Sequence, residues 1–320
     1  MPFSQIIAVT SPSFSQNSDL REHLLLRFSN TRFNETNRAF SPEELKTFLH
    51  GVDGAIVGLD PINDSLVSGL QSLKILSKFG VGLDNIDETA LKKYNIALGW
   101  TPGINKRSVA ELTLCFMIGL CRNIFETSFQ LKQGNWNKSG GVQLSEKTIG
   151  IIGCGNVGAD LLRLLVPFRC PVLIHDILDK TDICRETGAI QVSLSSLLDQ
   201  SQLVTLHLPL TSKTKHFMNE KQLSIMRPDA FLINTSRGSI VDQAALKKAL
   251  LEKKIAKAAI DVFEVEPPTD QEFLSLPNLI ATPHIGGNAK EAVEAMGLSA
   301  IQHLMDFFEA KERSSEARVD

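Results

Sequence analysis

In roughly the first hundred residues, short apolar runs rich in β-branched residues alternate with longer segments whose apolar positions recur at helical spacing. The runs are three to five residues long, which is too short for a helix and typical of a buried strand. Strands that alternate with helices are joined by crossover connections, so a parallel sheet is predicted here. The predicted strands and helices are Ile6–Val9, Asp19–Phe28, Thr31–Phe33, Pro42–Leu49, Gly54–Val57, Asn63–Leu70, Lys74–Lys78 and Glu88–Tyr94.

The alternation resumes after Gly140 and Gly141 and predicts a second doubly wound parallel sheet. Its predicted strands are Thr148–Ile152, Val172–His175, Leu203–Leu208, Ala230–Asn234, Ala258–Val262 and Leu279–Ala281. A final amphipathic helix, Ala289–Ala310, has no strand after it, so by its pattern it either completes the second domain or returns to the first. The polar tail Lys311–Asp320 is predicted to fray.

One long helix is predicted between the two sheets, from Asn105 to Gln133. Its apolar residues wrap most of its circumference, which favours burial between domains or between subunits, and we predict a homodimer on this basis. Its most apolar part, Leu112–Cys121, is about half as long as a membrane span and is flanked by charged residues. We interpret it as a buried helix and expect no membrane partner.

Composition and charge narrow the function classes. The 320 residues suffice for two domains with a cleft, and 43 % hydrophobic and 22 % charged residues are typical of a globular protein. A net charge of −3 and no basic stripe argue against nucleic acid as a partner. The N-terminus has no signal-peptide pattern, and the five cysteines show no zinc-ligand spacing. We therefore expect a cytoplasmic protein with reduced thiols and no metal site.

A glycine-rich motif, Gly-x-Gly-x-x-Gly, stands between the strand Thr148–Ile152 and the start of a helix. Gly153 permits the tight turn, Gly155 lets the backbone approach a pyrophosphate, and Gly158 allows the helix to pack on the strand. The N–H groups at the helix start then face the phosphates. Because the strand and the helix flank the glycines in the required order, we predict a dinucleotide site.

An acidic residue, Asp176, ends the next predicted strand, about twenty residues further along. Its carboxylate can accept hydrogen bonds from both ribose hydroxyls and would repel a 2′-phosphate. The following residue, Ile177, offers no cation to offset that repulsion. The predicted cofactor is therefore NAD rather than NADP.

Three successive strand ends of the second sheet carry Arg237, Glu266 and His284. Open α/β sheets bind ligands at the carboxyl ends of their strands. A guanidinium can bind a carboxylate bidentately, and a carboxylate beside an imidazole raises the imidazole pKa. A protonated imidazole can donate a proton to a substrate oxygen on which negative charge develops. We predict that these three residues are catalytic.

With these residues in place, the chain resembles the D-isomer specific 2-hydroxyacid dehydrogenases over essentially its whole length. That family includes phosphoglycerate, glycerate/hydroxypyruvate, D-lactate and formate dehydrogenases, and the resemblance is nearest to the phosphoglycerate dehydrogenase-like branch. The motifs that carry it are Lys78–Asp87, Gly153–Gly158, His207–Thr214, Asn234–Gly238, Asp261–Pro267 and Pro283–Gly287.

The resemblance implies a Rossmann NAD-binding domain, residues 104–287, inserted in a flavodoxin-like substrate domain formed by residues 1–103 and 288–320. It implies that Arg237 binds the substrate carboxylate and carbonyl, that Glu266 holds His284, and that His284 exchanges the proton. Further cofactor contacts would fall on Asn156, Val157, Asp176, His207, Pro209, Thr235, Ser236, Asp261 and Gly287. Backbone N–H groups of the loop Phe79, Gly80, Val81 and Gly82 would bind the substrate carboxylate.

The resemblance leaves the substrate open among phosphoglycerate, glycerate or hydroxypyruvate, and glyoxylate. Formate dehydrogenases of the family carry Gln at the position of Glu266, which argues against formate. Phosphate-binding members place an arginine after the third strand, where Ala55–Pro61 has none, and this argues against 3-phosphoglycerate. Lys78 either supplies a positive charge for the substrate or is an exposed lysine at a strand end. Because the sequence stops at residue 320, we expect no C-terminal serine-sensing domain.

Two other functions stay open. A scaffold that senses NAD(H), like the transcriptional corepressors that share this fold, would bind NADH without turnover, but the chain has no long interaction tail. A phosphite dehydrogenase uses a similar Arg, Glu and His set on an inorganic anion. Activity with 2-oxo acids or with phosphite separates these alternatives from one another.

Overall fold

A computed structural model of the protein describes residues 2–316, apart from the side chains of residues 312 and 314–316. Its internal contacts divide the chain into two compact units. We call the first the split unit, because it combines the residues up to Asn105 with those from Lys290 onward. The second, Lys106–Ala289, is the continuous unit.

Strands and helices alternate along both units. The first part of the split unit contains β1 (Ile7–Val9), α1 (Pro12–Gln16), α2 (Ser18–Leu25), β2 (Thr31–Phe33), α3 (Pro42–Leu49), β3 (Gly54–Val57), α4 (Asp64–Val67), β4 (Ile75–Lys78), α5 (Glu88–Lys93) and β5 (Ala97–Gly99). The continuous unit contains α6 (Lys106–Cys121), α7 (Ile124–Lys132), β6 (Ile149–Ile152), α8 (Asn156–Leu165), β7 (Val172–His175), α9 (Thr181–Thr187), β8 (Ile190–Gln191), α10 (Leu194–Gln200), β9 (Leu203–Leu206), α11 (Glu220–Ile225), β10 (Phe231–Asn234), α12 (Gln243–Leu251), β11 (Lys257–Ile260), α13 (Gln271–Leu274) and β12 (Leu279–Ala281). The last helix, α14 (Lys290–Glu316), belongs to the split unit.

The sheet of the split unit is parallel and, in the described residues, has the strand order β2-β1-β3-β4-β5. The order changes direction between β1 and β3, which is the flavodoxin-like topology, and ligands bind at such a switch point. Leu45 of α3 and Leu91 of α5 lie in the core on one face, and Phe14, Leu24 and Leu304 lie in the core on the other. The helix α14 therefore completes the core of this unit.

Side chains encoded just before the helices fix where several of them begin. Ser41 and Glu44 form a capping box at the start of α3. Asn63 and Asp87 accept a backbone N–H at the starts of α4 and α5. These caps satisfy N–H groups that have no partner within the helix, so they set the lengths of the loops that follow β3 and β4.

The sheet of the continuous unit is also parallel, with the order β12-β11-β10-β9-β6-β7-β8 in the described residues. The order changes direction between β6 and β9, as in a Rossmann fold. Phe116 of α6 and Leu161 of α8 are buried on one face, and Leu197 of α10, Leu246 of α12 and Phe273 of α13 are buried on the other. The predicted fold class, two doubly wound parallel sheets, is confirmed.

The single helix predicted for residues 105–133 is wrong, because α6 and α7 are separate helices with a 66° bend between them. Asn123 adopts a left-handed backbone conformation with φ 53°, which Asn tolerates better than most residues. A side chain at Gly119 would overlap the ring of Phe125, so the glycine leaves room for the start of α7 to pack against α6. Half of the residues of α6 are buried, whereas none of those of α7 is.

Short elements and the end of the chain also differ from the prediction. The sequence pattern does not predict β5, β8 or α1, which have five residues or fewer. Helix α14 continues to Glu316, so the tail predicted to fray is helical as far as that residue. The remaining part of that prediction, residues 317–320, lies outside the described residues.

Candidate active site

Gly153, Gly155 and Gly158 form the turn between β6 and α8. Gly153 has φ 90°, and a side chain there would also meet the carbonyl oxygen of His207. Gly155 faces open space and is the N-cap of α8 without a side-chain cap. A side chain at Gly158 would overlap the carbonyl oxygen of Gly153, so the third glycine brings helix and strand together. The first turn of α8 therefore presents backbone N–H groups to an anion.

Asp176 follows β7 and is bonded to the glycine-rich turn. Its carboxylate accepts the N–H groups of Cys154 at 2.8 Å and Leu178 at 2.9 Å. Ile177 is exposed and carries no charge, as the sequence prediction states, but Nζ of Lys180 lies 3.6 Å from Oδ2 of Asp176. The prediction did not consider this cation, which reaches the carboxylate from four residues further along the chain.

His284 and Glu266 are paired at the ends of β12 and β11. Nδ1 of His284 lies 2.8 Å from Oε2 of Glu266, and Oε1 of Glu266 accepts the N–H of Phe263 at 3.0 Å. Each of the two side chains is 35 % exposed. With Nδ1 bonded to the carboxylate, Nε2 is the ring nitrogen that can exchange a proton with another molecule.

The pairing shifts both pKa values towards the charged forms. The hydrogen bond to Glu266 raises the pKa of His284 above its ordinary value, against the lowering effects of burial and of the Arg237 charge. Burial acts to raise the pKa of Glu266, but the hydrogen bonds from His284 and from the Phe263 N–H outweigh it and lower that pKa. The protonated imidazole and the ionised carboxylate are therefore both present over a wider pH range than in two unpaired side chains.

Asp261 positions the turn that carries His284. Its buried carboxylate accepts the hydroxyl of Thr282 at 2.5 Å and the N–H groups of Ile285 at 2.8 Å and Gly286 at 2.7 Å. Between these bonds His284 adopts φ 53°, a left-handed conformation. Asp261 is predicted as a cofactor contact, and all three of these bonds go to the histidine turn.

Arg237 follows β10, the strand next to β11 in the sheet. Asn234 shapes its turn: Oδ1 accepts the N–H and hydroxyl of Ser236, and Nδ2 donates to the carbonyl oxygen of Arg237 at 3.0 Å. A side chain at Gly238 would overlap the backbone of Phe263, so the arginine turn lies against the segment that leads to Glu266. The three predicted catalytic residues thus stand on three adjacent strand ends, and the Arg237 charge lowers the pKa of both Glu266 and His284.

Other predicted cofactor residues lie on the same edge of the continuous unit. The N–H of His207 donates to the carbonyl oxygen of Ile152 at 2.8 Å, which places this residue beside the glycine-rich turn. Burial lowers the pKa of His207 to about 3, so its ring is neutral at physiological pH. The hydroxyl of Thr235 is 2.8 Å from that of Thr113 on α6, which links the arginine turn to that helix.

The loop Phe79–Gly82 belongs to the split unit, where it follows β4. Lys78, the last residue of β4, is only 4 % exposed, so the second of its two alternatives, an exposed lysine at a strand end, is wrong. Its Nζ donates to the carbonyl oxygen of Gly58 and, at 2.7 Å, to Oδ1 of Asn85. The cationic side chain therefore bonds to groups of the split unit itself.

The segment after β3 carries an acid, Asp60, and no arginine. Asp60 is 7 % exposed, and Oδ2 accepts the hydroxyl of Thr10 at 2.5 Å and the N–H of Gly58 at 3.3 Å. Its carboxylate is directed into the split unit. This loop provides no cation for a phosphate.

A family model described as D-isomer specific 2-hydroxyacid dehydrogenase, NAD binding domain, matches residues 114–286, just over half of the chain. The chain belongs to this family. It is 34 % identical over 276 residues to hydroxypyruvate reductase from Thermotoga maritima, covering 84 % of this chain and 89 % of that protein. It is 37 % identical over 257 residues to glyoxylate reductase from Thermococcus litoralis, covering 78 % of each. D-Lactate dehydrogenase from Aquifex aeolicus, solved with NAD and lactic acid, matches with a TM-score of 0.84 and 25 % identity, covering 98 % of both chains.

The cofactor of this 2-hydroxyacid dehydrogenase is NAD(H). The residues of the continuous unit fit it, because the open space at Gly155 admits a pyrophosphate and the uncapped start of α8 offers N–H donors. The Asp176 carboxylate, held by Cys154, stands at the end of the next strand, where the ribose acceptor of a Rossmann fold is found.

Three residues of the dehydrogenase that are not among the predicted site residues support those that are. Asn234 shapes the arginine turn, Thr113 bonds to Thr235, and Lys180 pairs with Asp176. The sequence signal for Asn234 is its position as a polar residue at the end of the apolar strand Phe231–Asn234. The signal for Lys180 is its position four residues after an acid. Thr113 lies inside an apolar helix and gives no such signal.

The described part of the dehydrogenase shows neither a single membrane-spanning helix nor a metal-binding cluster. Within residues 2–316 no single helix is long and apolar enough to cross a membrane, and α6 and α7 pass that test only when taken together as a bent pair. Across the same residues no group of three His, Cys, Asp or Glu side chains could hold a metal ion. The five cysteines are free thiols.

Proposed function

We propose that the protein catalyses the NAD(H)-dependent interconversion of a small 2-oxo acid and its D-2-hydroxy acid. The observation that supports this best is the 2.8 Å pair of His284 and Glu266, on strand ends adjacent to that of Arg237. A proton donor and a guanidinium on neighbouring strand ends match the carbonyl oxygen and carboxylate of an oxo acid.

In the proposed reduction, Arg237 binds the carboxylate and carbonyl oxygen of the acid, which orients the carbonyl carbon C2. When bound, NADH supplies the hydride. As C2 accepts the hydride, the carbonyl oxygen accepts a proton from Nε2 of His284, and the neutral imidazole then regains a proton from water. Glu266 keeps Nδ1 protonated and stabilises the imidazolium before transfer. Oxidation of the hydroxy acid uses the same groups in reverse, with neutral His284 as the base.

The residues proposed to hold NAD(H) follow the geometry of the continuous unit. The pyrophosphate would lie on the glycine-rich turn and the first N–H groups of α8, and the adenosine ribose would lie on Asp176. Other proposed contacts are Asn156, Val157, His207, Pro209, Thr235, Ser236, Asp261 and Gly287.

The split unit is proposed to be the substrate domain. Its loop Phe79–Gly82 follows β4 at the carboxyl edge of the sheet, where open α/β sheets bind ligands, and β4 is one strand from the change of direction between β1 and β3. Backbone N–H groups of this loop would donate to the substrate carboxylate. The family resemblance supplies this assignment, and the position of the loop supports it.

We propose glyoxylate or hydroxypyruvate as the substrate class in preference to 3-phosphohydroxypyruvate. The loop after β3 carries the inward-directed Asp60, and Lys78 bonds to Gly58 and Asn85. Neither the Asp60 carboxylate nor the inward-directed Lys78 is placed to bind the phosphate group of this substrate. The relatives from Thermotoga maritima and Thermococcus litoralis are named for hydroxypyruvate and glyoxylate reduction.

A panel of acids assayed by NADH oxidation tests the proposal. Glyoxylate, hydroxypyruvate, pyruvate and 3-phosphohydroxypyruvate would be compared at equal concentration, with phosphite and NAD in a parallel assay. The expected result is a clear preference for one of the first two acids. NADH binding without turnover of any acid would instead support a scaffold, and activity with phosphite alone would support a phosphite dehydrogenase.

A homodimer is also proposed, with a second copy of the chain covering α7. This helix and the segment after it expose Ile124, Phe125, Phe129, Leu131 and Trp136, and an exposed apolar patch of this kind marks an interaction surface. Mass measurement by light scattering should give twice the chain mass. The variant Phe129→Glu should shift the protein towards a monomer, and a wild-type protein that is monomeric would refute the proposal.

A further inference from the structure

The loop Phe79–Gly82 is anchored within the split unit at both ends. The N–H of Phe79 donates to the carbonyl oxygen of Val57 at 2.9 Å, and the Phe79 ring packs edge-on against Phe14 with a centroid distance of 5.4 Å. After the loop, the N–H of Ile62 donates to the carbonyl oxygen of Asn85 at 2.8 Å, and the N–H of Asp87 donates to the carbonyl oxygen of Ile62 at 2.8 Å. The ends are therefore fixed, and the orientation of the peptide groups between them depends on further contacts.

A buried bracket holds the base of the loop. Nζ of Lys78 donates to Gly58 O and to Oδ1 of Asn85, while Nδ2 of Asn85 donates to the carbonyl oxygens of Gly58 at 3.1 Å and Asp60 at 2.6 Å. The bracket joins the loop after β4 to the loop after β3. Gly80 packs against this group of bonds: its φ is 136°, and an added Cβ would lie 3.3 Å from Cε of Lys78.

The middle of the loop is held by Trp100, which follows β5. Its indole N–H donates to the carbonyl oxygen of Val81 at 2.9 Å, and the side chain is 36 % exposed. In a trans peptide the C=O and the following N–H point in opposite directions. Fixing the Val81 carbonyl on the indole therefore directs the N–H of Gly82 away from Trp100.

The segment that carries Trp100 is itself anchored to α14. The hydroxyl of Thr101 is 2.7 Å from that of Ser299 and 2.9 Å from Nε2 of His303. A side chain at Gly99 would overlap that of His303, so the strand end lies directly on the helix. The last helix thus supports Trp100, and through it the Val81 peptide.

We propose that Trp100 is a positioning residue for substrate recognition, which orients the Gly82 N–H as a donor to the carboxylate of the 2-oxo acid through its bond to Val81. The inference rests on the proposed function, in which this loop binds that carboxylate. Donors that are oriented before the ligand arrives bind it more tightly, since less conformational freedom is lost on binding. Trp100 does not touch the acid in this role.

The test is the variant Trp100→Phe, which removes the indole N–H and keeps an aromatic ring. The KM for the best 2-oxo acid is expected to rise about threefold to tenfold, the effect of losing one hydrogen bond, while kcat stays within about twofold because the proton donor is untouched. The inhibition constant of oxamate, a carboxylate-bearing analogue, should rise in parallel. The Kd for NADH and the thermal midpoint should not change.

The control is Tyr94→Phe, which removes a polar group from an aromatic side chain at the end of α5 in the same unit; its KM should equal that of the wild type. An unchanged KM and oxamate constant in Trp100→Phe, with an active wild type, would overturn the inference and leave the proposed function standing. A lowered thermal midpoint with equal losses in kcat and NADH binding would overturn it in favour of a general structural role. A wild type that reduces no 2-oxo acid would remove the proposed function itself.

Discussion

The two units share a parallel, doubly wound design but present different chemical groups at their strand ends. In the continuous unit, side chains stand at the ends of three adjacent strands, and the hydrogen bonds of Asn234 and Asp261 fix the turns that carry Arg237 and His284. In the split unit, the polar side chains of Asp60 and Lys78 turn inward and bond to Thr10 and Gly58, which follow neighbouring strands. The same topology therefore offers reactive side chains in one unit and shaped backbone in the other.

The difference teaches how the proposed reaction divides between the units. Chemistry should depend on individual side chains of the continuous unit, where a substitution removes a functional group. Recognition by the split unit should depend on backbone shape, where a substitution changes only the orientation of a peptide. Substitutions of Arg237 and His284 in the continuous unit are thus expected to have larger effects than substitutions in the split unit.

The largest effect is expected for His284→Ala, which removes the proton donor. Loss of general acid catalysis should lower kcat by about two to four orders of magnitude, whereas the Kd for NADH, measured by fluorescence titration, should stay the same. His23→Ala, at an exposed position on α2, is the matched control and should behave like the wild type. If the His284→Ala protein turns over at the wild-type rate, His284 is not the proton donor.

Arg237→Lys should have the next largest effect, because a single ammonium cannot replace the bidentate guanidinium. The KM for the 2-oxo acid is expected to rise about tenfold to a hundredfold, as for loss of a charge-assisted hydrogen bond. Steady-state kinetics at saturating NADH would measure it. Arg227→Lys, which alters a surface pair with Asp229, is the control. If both variants keep the wild-type KM and kcat, the role given to Arg237 is wrong.

Glu266→Gln should move the pH dependence of the reaction. The hydrogen bond to Glu266 raises the pKa of His284, and reduction needs the protonated imidazole, so the rate of reduction falls as the pH rises through that raised pKa. Removing the carboxylate charge lowers the pKa and should move this fall to lower pH. The measurement is kcat/KM against pH in both directions, with oxidation showing the mirror-image rise. Glu264→Gln, whose carboxylate pairs with His216, should leave the profile in place.

The smallest of these effects is expected for cofactor choice. Asp176→Ala removes the charge that would repel a 2′-phosphate and leaves Lys180 beside the site, so kcat/KM for NADPH relative to NADH should rise about tenfold. Adding Lys180→Met should reverse part of that rise. The KM for the 2-oxo acid should stay the same in both variants. A changed KM for the 2-oxo acid would show that the effect of Asp176 is not confined to the cofactor, and an unaltered NADPH to NADH ratio would refute its role.

The sequence predicts most of the strands because their buried runs are apolar on both faces, as in Ile149–Ile152, where all four residues are buried. The glycine-rich turn and the three strand-end residues could be predicted because their chemistry limits the residue types at each position. The break at Asn123 could not, since it depends on the contact of Gly119 with Phe125, which helical periodicity does not reveal. The inward direction of Lys78 depends on a carbonyl twenty residues earlier in the chain, at Gly58.

Helix α14 also has a consequence for biosynthesis. The core of the split unit contains Ala300, Leu304 and Phe308, packed with residues such as Ile7 and Phe14 near the start of the chain. A nascent chain on the ribosome therefore exposes that apolar face until the last helix emerges, while the continuous unit already has its whole sequence available. Since domains fold as units during synthesis, the continuous unit is expected to be native before the split unit.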